Sequence, residues 1–340
     1  MTSESELLGT DVPLYEAFDA ALVDLDGVTY KGARVIPTAP PGIAAARAAG
    51  MGIVFVTNNA SREPQTVADH LAALGMPATP DEVLTAAQAG AAMLRDHLSA
   101  GAAVLVVGGQ GLRTAVEAAG FVLVSGADDH PAAVIQGFSP DLAWKDLAEA
   151  TYAIRAGAAF FASNLDLTLP TERGMAPGNG SLVGAVGIAT GVTPRSAGKP
   201  EPAMFLLAAE RAGAARPLVI GDRLDTDLKG ARAAGIPGLL VLTGVNDARD
   251  AVLAAKDQRP SFIGADLGAL AEAHPAPVRD GEWWHVRAAR AHVREGRLLV
   301  DGGEAIDRIR AACAAAWAAT DEGAKILVET LPHLGVASSA

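Results

Sequence analysis

One cysteine in 340 residues is the first scarcity of this chain. With Cys313 alone there is no intramolecular disulfide and no zinc site built from several cysteines, which points to a reducing compartment. It lies in the run Ala311–Ala319 and reads as helix packing rather than as a nucleophile. Basic residues are also short: 27 Lys and Arg against 39 Asp and Glu leave a net charge of -12. Such a balance argues against nucleic acid or an anionic membrane as the main partner, so an anionic substrate must be captured locally, by a metal or a few placed cations. No uncharged apolar stretch reaches the ~18 residues a membrane span needs. Residues Met1–Thr10 are polar and acidic, without the basic end and apolar stretch of a signal peptide. These absences predict a cytoplasmic protein with no membrane and no nucleic-acid partner.

Half of the residues are apolar, ample for a core, and 340 residues exceed the usual single domain, so two domains and a small appendage are expected. Short apolar runs alternate with Ala-rich helical segments: Ala21–Val23, a helix around 42–49, Ile53–Val56, a helix over 63–74, then Ala103–Val107, Ala132–Ile135, Ala158–Phe161, Leu218–Ile220 and Leu239–Leu242. That rhythm predicts a parallel α/β sheet, which binds ligands beyond the carboxyl ends of its strands. Gly108-Gly109-Gln110-Gly111 does not complete a dinucleotide fingerprint and reads as a strand-to-helix turn. The composition changes near Pro275-Ala276-Pro277, where a module of two or three strands and a helix from Gly303 to Thr320 is expected. Trp283 and Trp284 sit side by side there, one facing inward and one outward in a strand.

Four segments carry chemistry. The run Ala20–Val28 delivers Asp24, Asp26 and Gly27 at the end of an apolar strand, and two carboxylates so close imply a cation or phosphate between them. Thr57, Asn58 and Asn59 follow the next strand, ahead of Ser61 and Arg62. They offer phosphate donors at a helix start, or equally an N-cap cluster with Ser61 as the cap. Lys199 stands between Gly198 and Pro200, on a rigid turn suited to balancing carboxylates and a phosphate. Asp222, Asp225 and Asp227 close the fourth strand, and oxygen ligands with few histidines suit a hard cation, magnesium above all.

In this order, Asp24-Leu25-Asp26-Gly27, Thr57-Asn58-Asn59, Gly198-Lys199-Pro200 and Gly221-Asp222 with Asp225 and Asp227 resemble the haloacid dehalogenase superfamily, in its phosphatase branch. The likeness spans residues 18–265. Asn58 and Lys199 lie 141 positions apart, leaving room for a folded insertion between the second and third motifs. That is similar to subfamily IIA, with its α/β (C2-type) cap. Ala162–Asp166, Leu169–Gly174 and Pro177–Ser181 look like its substrate-facing motifs, or are plain turns at Thr171 and Asn179. The resemblance implies a Rossmann-like parallel-sheet core (1–82 and 192–272), an inserted α/β cap (83–191) and a small α+β C-terminal module (276–340). The module looks like a fragment of an acetyltransferase without the pyrophosphate loop, so no acetyl transfer is expected.

The resemblance also implies chemistry. Asp24 would be the nucleophile, Asp26 the general acid and base, and Lys199 a phosphoryl clamp. Asp24, the Asp26 carbonyl and Asp222 would hold Mg2+, with Asp225 or Asp227 completing the shell. Gly27, Thr57, Asn58, Asn59, Arg62, Asn164, Asp166 and Lys199 are the phosphate or substrate candidates, with Arg195 beside them. The stretch Gly27–Gly32 resembles a mobile flap, or is a simple hairpin. The expected substrate is a small phosphomonoester, glycerol 3-phosphate first, then phosphoglycolate, pyridoxal phosphate or p-nitrophenyl phosphate. A phosphotransferase or mutase, or a non-catalytic binding protein, is the competing reading, and a homodimer is left open.

Overall fold

The computed structural model describes residues 6–171 and 173–335; the first five residues, Glu172 of the Leu169–Gly174 motif and the last five of the terminal module lie outside the described residues. The chain divides into two compact units, one of Met1–Val54 with Ala209–Ala340 and one of Phe55–Ala208. The second unit therefore takes in 55–82 and 192–208 besides the expected cap.

In the first unit the strand order is Phe262–Gly264, Gly238–Val241, Pro217–Gly221, Ala20–Asp24, Gly52–Thr57. The last strand passes into the second unit at Phe55. The first four are parallel, in the registers Leu239↔Phe262, Ile220↔Leu239 and Val23↔Ile220. All five residues of Ala20–Asp24 are buried, as a strand covered on both faces requires. The helix expected around Gly42 begins earlier, at Ala39, and runs to Ala48. Pro40 and Pro41 occupy its first turn, where a missing N–H leaves no bond unmade, so the prolines start the helix rather than end it.

The terminal module has four antiparallel strands rather than two or three: Val278–Asp280, Trp283–Val286, Ala289–Arg294 and Arg297–Asp301. The last two join through a two-residue loop in which both Glu295 (φ 51°) and Gly296 (φ 76°) are left-handed, the mirror turn that suits twisted strands. Polar, short strands of this kind are hard to read from hydrophobicity. The helix Ala305–Asp321 packs across them. Its buried face, with Ile309, Cys313 and Trp317, joins Trp284 and the core residues Leu224, Leu240, Val252 and Ile263 in one hydrophobic cluster. Trp284 is buried, while the Trp283 ring lies 4.0 Å from His292 and 4.6 Å from the Arg290 guanidinium. Burial also pushes the Cys313 thiol well above its ordinary pKa.

In the second unit a five-stranded parallel sheet has the order Arg195–Ser196, Ala159–Ala162, Ala133–Gln136, Ala103–Val107, Val122–Val124. Helix Ala86–His97 leads into the sheet, helices Gln110–Ala118, Trp144–Arg155 and Asn179–Thr190 lie between its strands along the chain, and a hairpin pairs Thr168–Thr171 with Gly174–Pro177. Gly108 and Gly109 form the expected turn into the Gln110 helix. Among the described residues no helix is long and apolar enough to cross a membrane.

Candidate active site

Within the first unit, two neighbouring parallel strands deliver the acidic residues to one place. Asp24 ends its strand and Asp222 follows the Pro217–Gly221 strand beside it. Asp227 returns after one wide turn, Leu224–Leu228, in which the Leu228 N–H donates to the Arg223 carbonyl (3.1 Å). Each of Asp24, Asp222 and Asp227 can offer a carboxylate oxygen within 4.8 Å of the others, and all three are buried. Three ionised carboxylates so close in a low-dielectric place repel strongly, and a hard divalent cation of the magnesium or calcium kind is the partner that this donor set fits.

Asp225 stands apart. Arg223 grips it bidentately, Nε to Oδ1 at 3.0 Å and Nη2 to Oδ2 at 2.8 Å, in an exposed ion pair that holds its carboxyl below the usual range. Of the two acids left open by the sequence, Asp227 is the one grouped with Asp24 and Asp222. Asp26 is exposed, and its backbone bridges to Tyr30. Desolvation at its carboxyl raises the pKa above the ordinary value, against the lowering by the Gly32 N–H and the Lys31 charge. Gly27 (φ +86°) donates its N–H to the Tyr30 carbonyl at 2.7 Å, and Tyr30–Lys31 pairs with Arg34–Val35, so the flap segment is a hairpin in form.

A fifth segment, Leu242–Asn246, escapes a motif-based reading. Thr243 Oγ1 donates to the Gly27 carbonyl at 2.6 Å, and the Val245 N–H donates to Asp222 Oδ2 at 2.6 Å. A Cβ on Gly244 would lie 1.8 Å from Asp222 Oδ2 and one on Gly27 would lie 2.3 Å from it, so both glycines make room for that carboxylate. Gly221 does the same for Asp227, with 2.2 Å to its Cβ. The only sequence signal for this loop is a Thr-Gly pair at a strand's carboxyl end.

Within the second unit, Asn58 gathers the other candidates. Its Nδ2 donates to both oxygens of Asp166 (3.1 and 3.2 Å) and to the Lys199 carbonyl (3.1 Å), while Oδ1 accepts from the Lys199 N–H (2.9 Å). The side chain expected to hold phosphate is thus engaged in holding the Lys199 turn. Asn164 Nδ2 donates to the Asn58 carbonyl (2.8 Å), and buried Asn179 donates to the Asn164 carbonyl (2.7 Å). Gly198 is packed so tightly that a Cβ would meet Asn164 Cβ and the Ser163 carbonyl at 2.7 Å. Lys199 itself is buried.

No side chain caps the Pro64–Ala73 helix, whose N-cap position is Glu63, so Ser61 is not its cap; Asn59 instead closes the turn ahead of it. Asn59 Oδ1 accepts from the Ser61 N–H (2.9 Å), Ser61 Oγ (3.0 Å) and the Arg62 N–H (3.1 Å), and Thr57 Oγ1 accepts from the Asn59 N–H (3.2 Å). The helix starts at Pro64 behind Glu63, too far along for Ser61 to reach its free N–H groups. Arg62 and Arg195 are exposed. Thr171 Oγ1 donates to the Gly174 carbonyl at 2.7 Å, which makes its segment a hairpin turn.

A parallel sheet that gathers three buried carboxylates beyond its strand ends makes this an α/β protein with an acidic site fitted to a cation. The chain belongs to the haloacid dehalogenase-like hydrolases: that family's model matches residues 21–122, and a second, HAD-hydrolase-like, matches residues 196–270. It is 50% identical over 252 residues to the D-glycerol 3-phosphate phosphatase of Mycobacterium tuberculosis, covering 74% of this chain and 70% of that one. To the acid sugar phosphatase of Staphylococcus aureus it is 36% identical over 258 residues, 75% of this chain and 98% of that one. Among solved structures, the glycerol phosphate phosphatase of M. tuberculosis in complex with magnesium superimposes with a TM-score of 0.83 at 44% identity, over 90% of this chain and 92% of that one.

Proposed function

We propose that the protein hydrolyses a small phosphomonoester, glycerol 3-phosphate first, with magnesium as cofactor and through an aspartyl-phosphate on Asp24. The observation that carries this is the convergence of three buried carboxylates, Asp24, Asp222 and Asp227. Support for the substrate comes from the half-identical glycerol 3-phosphate phosphatase, and for the metal from its magnesium complex.

Asp24, the Asp26 carbonyl, Asp222 and Asp227 would hold magnesium, which supplies positive charge to offset the phosphoryl oxygens. The Asp24 carboxylate attacks phosphorus in line and the P–O bond to the alcohol breaks, which splits a slow reaction into two easier ones. Asp26 gives its proton to the departing alkoxide and then takes one from the water that cleaves the acyl phosphate. Thr57 and Lys199 hold phosphoryl oxygens, while Asn58 sets the Lys199 backbone and orients Asp166. Residues 83–191 serve as the cap, with Asn164, Asp166, Arg62 and Arg195 as the substrate-specific groups and Gly27 and Asn59 as further phosphate- or substrate-binding groups. The work is cytoplasmic, on a free metabolite rather than nucleic acid or membrane. One chain carries all these residues, and sedimentation decides whether two pair as a homodimer.

Phosphate release from glycerol 3-phosphate, phosphoglycolate, pyridoxal 5′-phosphate and p-nitrophenyl phosphate, with magnesium and with chelator, tests the proposal. A metal-dependent preference for glycerol 3-phosphate is expected. Preference for another ester discards the substrate and keeps the mechanism. No release from any of them, with magnesium present, discards both.

A further inference from the structure

Asn246 stands outside the acidic cluster yet ties together the backbone that sets it. Its N–H donates to the Asp222 carbonyl (3.2 Å), Oδ1 accepts from the Leu224 N–H (2.8 Å), and Nδ2 donates to Asp250 Oδ2 (3.0 Å). An amide is suited to this place because it accepts from a backbone N–H and donates to a carboxylate at once. Arg223 and Leu224 are the residues on which the acidic loop turns. The Asp227 carboxylate accepts from the Arg223 N–H (3.2 Å), and the Asp227 N–H donates to the Arg223 carbonyl (3.1 Å). A shift of Leu224 therefore moves Asp222 and Asp227 together.

The anchor behind Asn246 is a short helix, Ala248–Val252, capped by Asp247, whose Oδ1 accepts from the N–H groups of Arg249 (2.8 Å) and Asp250 (3.0 Å). Asp250 Oδ2 accepts in return from the Asp247 N–H (3.0 Å). From the far side the buried indole of Trp317, on the terminal module's helix, donates to the Ala251 carbonyl at 3.0 Å. Ala248, Ala251, Val252, Leu224 and Trp317 share one hydrophobic cluster.

We infer that Asn246 is a positioning residue for the metal site and that the terminal module, through Trp317 and the Ala248–Val252 helix, holds it in register. This rests on Asp24, Asp222 and Asp227 being the magnesium ligands. Groups that orient ligands without touching the metal are typically worth 10–100-fold in metal affinity. Small displacements here act on two ligands at once.

The test is calorimetric titration of magnesium into the chelator-stripped full chain. Asn246→Ala is expected to weaken magnesium binding by about 10–100-fold while its unfolding midpoint in chelator stays close to the parent's. The magnesium level for half-maximal phosphate release should rise in step, with the rate at saturating metal less affected. The paired exchange Asn246→Asp with Asp250→Asn keeps an acceptor for the Leu224 N–H and a donor–acceptor pair between the two side chains, but costs the Asp247 N–H the oxygen it shares at Asp250, so part of the affinity should return. Trp317→Phe keeps a ring but drops the indole N–H, and should weaken magnesium severalfold. Unchanged affinity in Asn246→Ala, or an exchange that recovers none, overturns the inference. If Asn246→Ala does not fold, parent-like affinity in Trp317→Phe overturns it. A parent chain that takes up no magnesium removes the metal-site reading itself, and the inference with it.

Discussion

At the scale of single residues, two substitutions separate chemistry from shape. Asp24→Asn keeps the size of a side chain at a fully buried strand end but removes the proposed nucleophile. Phosphate release should fall by a factor on the order of 10⁴ or more, with the far-ultraviolet spectrum and cooperative melting retained; an active Asp24→Asn enzyme would falsify the covalent scheme. Gly244→Ala asks the opposite question. Its methyl would lie 1.8 Å from Asp222 Oδ2 and 2.3 Å from Asp222 Cβ, so either the loop or the carboxylate must move. Overpacking of this kind costs roughly 1–3 kcal/mol, and magnesium-dependent turnover should drop with it. Both effects are read from denaturant midpoints and phosphate release on the same preparations.

At the scale of elements, the contact between the core sheet and the Ala305–Asp321 helix includes a buried polar cluster beside its apolar one. Arg310 is buried and donates to the Ile263 carbonyl (3.0 Å), Asp307 Oδ1 (3.1 Å) and His274 Nδ1 (3.2 Å). Arginine can only donate, so Nδ1 of His274 accepts and Nε2 carries the proton, which it gives to the Ala269 carbonyl (3.0 Å). Burial first, then the Arg310 charge, lowers the His274 pKa to about 4. In the unfolded chain the same ring titrates near 6.5. Above that pH neither state binds the proton and the group adds no slope. As pH falls from 6.5 towards 4 the unfolded chain binds more protons than the native one, and stability drops by up to about 3 kcal/mol. His274→Gln should flatten this part of the profile, measured as urea midpoints at pH 7 and pH 4.5. A slope that persists undiminished would assign the acid sensitivity to other groups.

At the scale of the whole molecule, the terminal module is part of the first unit's core rather than an appendage. A chain ending near residue 275 would expose Leu240, Val252 and Ile263, which share a cluster with Ile309, Cys313 and Trp317. It would also strip Asp321 (2.8 Å) from buried Arg259, leaving that charge with Glu6 at 3.4 Å. Leaving a buried charge short of partners is strongly destabilising, roughly 3–5 kcal/mol. The truncated protein should be largely insoluble or melt without cooperativity, as soluble yield and thermal unfolding would record. A soluble, fully active truncation would make the module peripheral.

Much of this was legible along the chain because it is local. Buried parallel strands are continuous apolar runs, so Ala20–Asp24, Ala103–Val107 and Pro217–Gly221 announce themselves, and the acidic groups at strand ends follow from the same runs. Family likeness added the order of the motifs. What one dimension does not carry is which polar groups meet. Asp227 rather than Asp225 joins the cluster because one wide turn brings it back while Arg223 draws Asp225 outward. The Thr243–Asn246 loop serves Asp222 from the end of a neighbouring strand, with only a Thr-Gly pair to mark it. Periodicity and composition report what a residue prefers as neighbours, and so they determined the sheet, the acidic strand ends and the lack of any disulfide within the chain. Tertiary structure decided the partners, because hydrogen bonds are directional and short, and residues more than twenty positions apart meet only after the sheet has formed.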